Sequence, residues 1–262
     1  MSATVAQAPS RRTASSAAGR RVLDQLVIIL VLLACWQGAY EYAGSVALSS
    51  PAETVAYAVA MLGKEWFWES AAATGLAFVY SLLIASVIGV LLGLVLGLWR
   101  FAADVTEPVL AALYTIPKVT LYPLILLLFG LGLSAKVAFG VIHGVIPITL
   151  FTLAAVKGLS PVLLRTARAM RLSPSKTILW VLTPAVLPEI FTGLRVGFSL
   201  TLLGVLIGEM FASQLGLGFL IVNGINLHNV PLTTAVVLII VLVAVAANAA
   251  LLALDRHLRR QR

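Results

Sequence analysis

From Ala71 to Trp99 the chain passes without one charged side chain, and most of the residues between are aliphatic or glycine. A helix needs about 20 apolar residues to cross the hydrocarbon core of a bilayer. Inside lipid the backbone must satisfy its own hydrogen bonds, which a helix does within one segment. Comparable runs recur at about Leu23–Ala43, Pro108–Leu133, Ala135–Val156, Ala185–Gln214 and Pro231–Leu254, making six. In 262 residues they leave no room for a soluble domain. Composition agrees, with 61% hydrophobic residues, 11% charged and a mean hydropathy of +1.05. Soluble domains carry about 25% charged residues. The expected class is an all-α polytopic membrane protein with about six transmembrane helices.

The net charge of +8 does not point to nucleic acid as a partner, because the basic residues flank apolar spans. They read instead as topology signals and contacts for anionic membrane lipid. Residues 1–21 are rich in Ala, Ser and Arg and lack an apolar period, which predicts a disordered tail. Arg11, Arg12, Arg20 and Arg21 place it in the cytoplasm. Residues 22–70 hold the first span and an external loop. Leu32-Leu33-Ala34-Cys35 has the outline of a lipoprotein cleavage box, but Leu33 is bulky and the apolar run continues past Cys35. An uncleaved anchor is expected. A single cysteine excludes an intrachain disulfide and a cysteine metal cluster.

The loop from Gly44 to Ser70 sets Glu53, Glu65 and Glu69 against Lys64, a balance of −2 that suits an external segment. Ser50-Pro51 starts a short helix, and Trp66, Phe67 and Trp68 fit an aromatic belt. Residues 71–254 make up the expected transmembrane domain. Gly89, Gly93 and Gly97 recur every four residues, a spacing that lets helices pack closely in lipid. Arg100 to Glu107 reads as a cytoplasmic turn. The next span is interrupted by Pro117, Lys118, Pro123, Gly130 and Gly132. Broken backbone at membrane depth is tolerated only against protein or a wet cavity, so this span is expected on the pathway side of the molecule. Lys118 either faces that pathway or snorkels to the interface. In the fourth span His143 receives no role.

The fifth span carries Arg195 and Glu209. Intramembrane charges are costly and face a bundle interior or water. Arg195 sits close enough to the cytoplasmic end to snorkel. Glu209 is too deep and too short to do so, and is expected against the pathway or a polar partner. Gly216 to Asn229 reads as an external loop, and residues 255–262 as a basic cytoplasmic tail. Both termini then lie inside.

Between the fourth and fifth spans, Leu159–Pro188 is basic and helix-patterned. Lys157, Arg165, Arg168, Arg171 and Lys176 give +5 with no acid. Ser160-Pro161 and Ser173-Pro174 are two helix starts. In the first helix Leu163, Ala167 and Met170 share one face, with Arg165, Arg168 and Arg171 opposite. A helix of about eleven residues reaches roughly half way across a bilayer core. It must lie on lipid headgroups or dock into a partner protein. No glycine-rich phosphate loop, Ser/His/Asp set or metal-ligand spacing occurs in the sequence. The chain therefore has no means of its own to use ATP, and no bound cofactor is expected.

This loop resembles that of bacterial ABC import permeases, whose pattern is Glu-Ala-Ala, three residues, Gly, nine residues, Ile, one residue, Leu-Pro. The matching register is Arg165-Thr166-Ala167, Arg171, Val181 and Thr183-Pro184. Ala167, Pro184 and an aliphatic at Val181 are kept, while Arg165, Arg171 and Thr183 replace Glu, Gly and Leu. Ile116-Pro117-Lys118-Val119-Thr120-Leu121-Tyr122-Pro123-Leu124, followed by Phe129-Gly130-Leu131-Gly132, resembles a signature of the nitrate/sulfonate/taurine permease group. So do Leu187-Pro188 with Gly193-Leu194-Arg195, and Gly208-Glu209-Met210 with Gly216-Leu217-Gly218. The resemblance covers about Ala71 to Leu254.

It implies a type I ABC importer permease fold in an inner-membrane homodimer. Two cytoplasmic ATPase subunits would hold ATP and Mg, and an extracytoplasmic binding protein would deliver the solute. Leu163, Arg165, Thr166, Ala167, Arg168, Met170, Arg171, Ser173 and Pro174 would then form the coupling helix seated on the ATPase. Pro117, Lys118, Pro123, Arg195 and Glu209 are the pathway candidates. The implied solute is a small anion such as a sulfonate, taurine or nitrate, with a thiamine precursor or riboflavin as the alternative. A secondary transporter would need more spans and a repeat relating two halves. A membrane scaffold would use the basic helix only to hold lipid.

Overall fold

The computed structural model describes residues 11–260, all helix and connecting turns with no strand among them. Helix α1 spans Arg11–Ala43, α2 Pro51–Leu62, α3 Glu65–Leu98 and α4 Arg100–Thr115. A 3-10 turn at Lys118–Leu121 leads into α5, Tyr122–Phe129, and then α6, Leu133–Lys157. Two short helices follow, α7 at Pro161–Ala169 and α8 at Pro174–Thr177. A π turn at Ile178–Leu182 continues into α9, Thr183–Ala212, before α10, Leu217–Asn226, and α11, Val230–Arg260. Among the described residues five helical segments are long and apolar enough to cross a bilayer, and the bent pair Arg100–Thr115 and Lys118–Phe129, taken as one span, makes a sixth.

Helix α6 is the centre, packed between α3 and α9. The glycine ladder explains its closeness to α3. A Cβ at Gly89 would stand 2.8 Å from Ile148 Cβ, at Gly93 2.5 Å from Thr152 Cβ, and at Gly97 2.7 Å from Val156 Cβ. The two backbones approach until no side chain fits between them. At one end of the bundle Val156, Val186 and Ile190 form a buried cluster joined by Leu94, Leu159 and Leu194. At the other end Ala58, Met61, Phe67, Leu220, Leu232 and Val236 bring α2, α3, α10 and α11 together.

Several expectations are corrected. Residues 11–21, expected as disordered, continue α1 as helix, because Ala- and Arg-rich sequence extends a helix cheaply once the apolar run has nucleated it. Residues 1–10 of that tail and the last two of the basic tail lie outside the described residues. Helix α3 starts at Glu65, ahead of the charge-free run, so Trp66, Phe67 and Trp68 stand on one helix. Phe67 is therefore core rather than belt, at 2% exposure, while Trp66 and Trp68 remain outward. The expected turn at Arg100–Glu107 is the first half of α4, an amphipathic helix that runs on through Pro108 to Thr115. Gly216–Asn229 contains helix α10, whose apolar face reaches the α2–α11 cluster.

The broken third span is present as expected. Its halves meet at 85° around Ile116 and Pro117, both extended. A second irregularity falls at Ile178–Leu182. Pro184 cannot donate to the preceding turn, and Thr183 N–H instead reaches Ile178 O, which widens that turn. By contrast, α1 stands apart from the bundle. None of its Leu23–Ala43 run is buried, and Trp36 Nε1 donates to Ser49 O at 3.1 Å.

Candidate functional site

Helices α7 and α8 begin at the two start signals. Ser160 Oγ accepts from Val162 N–H at 3.3 Å, and Ser173 Oγ from Lys176 N–H at 3.4 Å. Between them Arg171 takes a left-handed φ of 53°, and Leu172 N–H donates to Ala167 O at 3.1 Å. The chain thereby doubles back and seats α7 on the π turn. Arg165, Thr166, Arg168 and Arg171 are exposed. The apolar face of Leu163, Ala167 and Met170, expected to meet another molecule, is divided. Ala167 is 2% exposed and spent on its own chain, whereas Leu163 and Met170 remain outward. All three line an open groove of about 500 Å³ whose other wall is Trp180, Val181 and Pro184. Sequence periodicity identified the face but not its partner, because the hairpin supplies one.

At the opposite end of the bundle, Glu209 is fully buried. Thr74 Oγ1 lies 2.9 Å and 2.8 Å from its two oxygens and donates to one of them, while accepting from Leu217 N–H at 2.8 Å. Gly218 N–H donates to Glu209 Oε2 at 3.0 Å. Lys136 Nζ stands 3.5 Å from Oε1 and donates to Leu215 O at 2.5 Å. Gly216, at φ 132°, wraps the carboxylate so closely that any Cβ there would overlap it. One acid thus ties α3, α6 and α9 to the start of α10. Of the two roles expected for Glu209, the structure supplies the polar partner. Sequence reading missed Lys136 and Thr74, although Lys136 was visible as a charge opening an otherwise apolar span. A lone intramembrane acid and a lone base have reason to meet.

The remaining candidates separate. Pro117 is exposed and stands at the break, whereas Pro123, also exposed, falls in the first turn of α5 and does not interrupt it. Lys118 Nζ donates to Tyr114 O at 3.0 Å and sits 5.1 Å from the Tyr114 ring centroid. Arg195 lines a largely apolar cavity of about 230 Å³ between α3, α9 and α11, together with Asp255. It lies fourteen residues before Glu209 on α9, about 21 Å along the axis, so the two do not form one site. Lys157, counted among the basic residues of the loop, is 2.7 Å from Asp104 and 2.8 Å from Glu107. Those acids lie on α4, far away in sequence, where a local charge count does not reach. Among the described residues no group of three or more His, Cys, Asp or Glu is placed to hold a metal.

A polytopic helical bundle with a broken span on one side and a short docking helix at one end is the architecture of a type I ABC importer permease. The comparison with protein families agrees: residues 85–262 match the family described as binding-protein-dependent transport system inner membrane component. The chain belongs to that family, and is a multi-pass inner-membrane component of such a system. It is 25% identical over 246 residues to the taurine transport system permease protein of Escherichia coli, covering 91% of this chain and 90% of that one. To the nitrate import permease protein of Synechocystis it is 28% identical, over 79% of this chain and 78% of that one. The riboflavin transport system permease protein of Chloroflexus aurantiacus is 35% identical over 51% of this chain and 50% of that one. All three are transport subunits by name.

Proposed function

We propose that this chain is the translocating subunit of an ATP-driven importer, working as a homodimer on two separate ATPase subunits. Helix α7 is its coupling helix, seated in a groove of the ATPase, and both chain termini face the cytoplasm with it. ATP and Mg belong to the partner. The observation that carries this reading is the α7 hairpin. It is anchored from behind by Ala167 and presents Leu163, Met170 and three arginines outward. A docking element fixed this way passes on rigid-body motion instead of absorbing it. The test is co-purification with an ATPase of this transporter class. Co-elution that Met170→Asp abolishes supports the reading, and a wild-type chain that never associates rejects it.

The solute is a small anion such as a sulfonate, taurine or nitrate. The taurine and nitrate permeases support this, since each aligns along most of its length. A vitamin-like heterocycle is the second reading, favoured by the riboflavin permease, which aligns over about half. Selectivity in such a system sits with the binding protein that delivers the solute. Calorimetry of that protein against taurine, alkanesulfonates, nitrate and riboflavin decides the matter. Heat from riboflavin and none from any anion would reject the anion reading and leave the import mechanism standing.

A further inference from the structure

Lys157 occupies the last turn of α6, three residues before the Ser160 cap of α7. Its Nζ bridges Asp104 at 2.7 Å and Glu107 at 2.8 Å, two acids on one face of α4 at i and i+3. Leu159, in the link between α6 and α7, packs into the cluster of Val156, Val186 and Ile190. A displacement of α7 therefore reaches the end of α6 with little slack. From there a charged link leads onward to α4, whose far end is the 85° break at Pro117. Beyond the break α5 is pinned: Tyr122 Oη donates to Phe211 O at 2.5 Å, and its ring lies against Phe139. Helix α4 is thus a lever with its pivot at Pro117 and its handle held by Lys157.

We propose that Lys157, Asp104 and Glu107 form a strut that delivers movement of α7 to α4, and so sets the angle at the broken span. The proposal rests on α7 being the coupling helix. These are positioning residues, since none touches the solute. Two carboxylates on one ammonium make a network instead of a lone surface pair. The three side chains are nonetheless 36%, 64% and 42% exposed, so salt screens them and the strut weakens as ionic strength rises.

The experiment uses the chain assembled with its ATPase in lipid nanodiscs, in a Cys35→Ser background. Spin labels at Phe101 on α4 and Leu128 on α5, both 70% exposed, report the angle of the break. In the otherwise unaltered complex, ATP with vanadate shifts the distance distribution between the labels. Lys157→Gln reduces that shift several-fold while the ATPase still co-elutes, and Lys157→Arg, which keeps both ion pairs, retains it. A full shift in Lys157→Gln overturns the strut, as does Lys157→Arg failing as completely as Lys157→Gln. An unaltered complex that assembles but shows no shift also overturns it, leaving the importer reading intact. Failure of the unaltered chain to assemble with the ATPase overturns both.

Discussion

At the scale of single residues, Lys136 and Glu209 carry the largest energetic stake. Each is buried, and each has the other within 3.5 Å. Removing one member of such a pair strands a charge and costs about 3–5 kcal/mol. Lys136→Met is expected to lower the thermal unfolding midpoint sharply. Glu209→Gln in that background is expected to recover part of the loss, because the amide still accepts from Thr74 or Gly218 without a charge to compensate. Thermal unfolding of the two single variants and the double in detergent checks this. Additive losses would mean the pair does not interact. Glycine supplies a second contrast. Gly93→Leu drives a side chain into Thr152 and Thr149 O, an overpacking that costs at least about 1–3 kcal/mol. Gly75 has open space at its Cβ position, so Gly75→Ala is expected to be neutral or mildly stabilising. Equal midpoints for the two variants would remove the ladder from the account of α3–α6 packing.

Among elements, α7 is the one whose sequence and structure must be read together. Its capped start and basic face are local properties, and both form as the residues dictate. Its apolar face is shared between the chain's own π turn and the outside, and this division predicts different outcomes for neighbouring substitutions. Ala167→Asp places a charge against Val181 and Pro184, so the isolated chain itself is expected to lose stability and expose the hairpin to protease. Met170→Asp, on a side chain 66% exposed, is expected to leave the isolated chain's unfolding midpoint unchanged and to weaken only its association with the ATPase. Limited proteolysis and co-elution separate the two. If Ala167→Asp is as protease-resistant as wild type, Ala167 is not the anchor.

For the whole molecule the decisive property is which end faces which compartment. The basic α7 end and the α2–α10 end stand at opposite ends of α6 and α9, so one orientation fixes all the rest. In a Cys35→Ser background, a cysteine replacing Glu53 or Asn226 is expected to react with an impermeant thiol reagent in intact cells. One replacing Arg168 is expected to react only after the membrane is opened. Labelling of the Arg168 site in intact cells would reverse the orientation and remove α7 from any contact with a cytoplasmic ATPase.

What the sequence determined by itself was whatever rests on local chemistry and on water's exclusion from lipid. Apolar runs of spanning length set the class, the Gly89, Gly93 and Gly97 register marked a packing face, and Pro117 marked a broken span. The Ser-Pro pairs marked both ends of the α7 hairpin. These signals need only near neighbours along the chain, so they survive without knowledge of the fold. What only the tertiary structure decided was partnership. That Glu209 meets Lys136 and Thr74, that Lys157 meets Asp104 and Glu107, and that Ala167 faces inward each depend on residues brought together from different helices. A helical period states which way a side chain points, and the packing of α3, α4 and α6 states what it meets there.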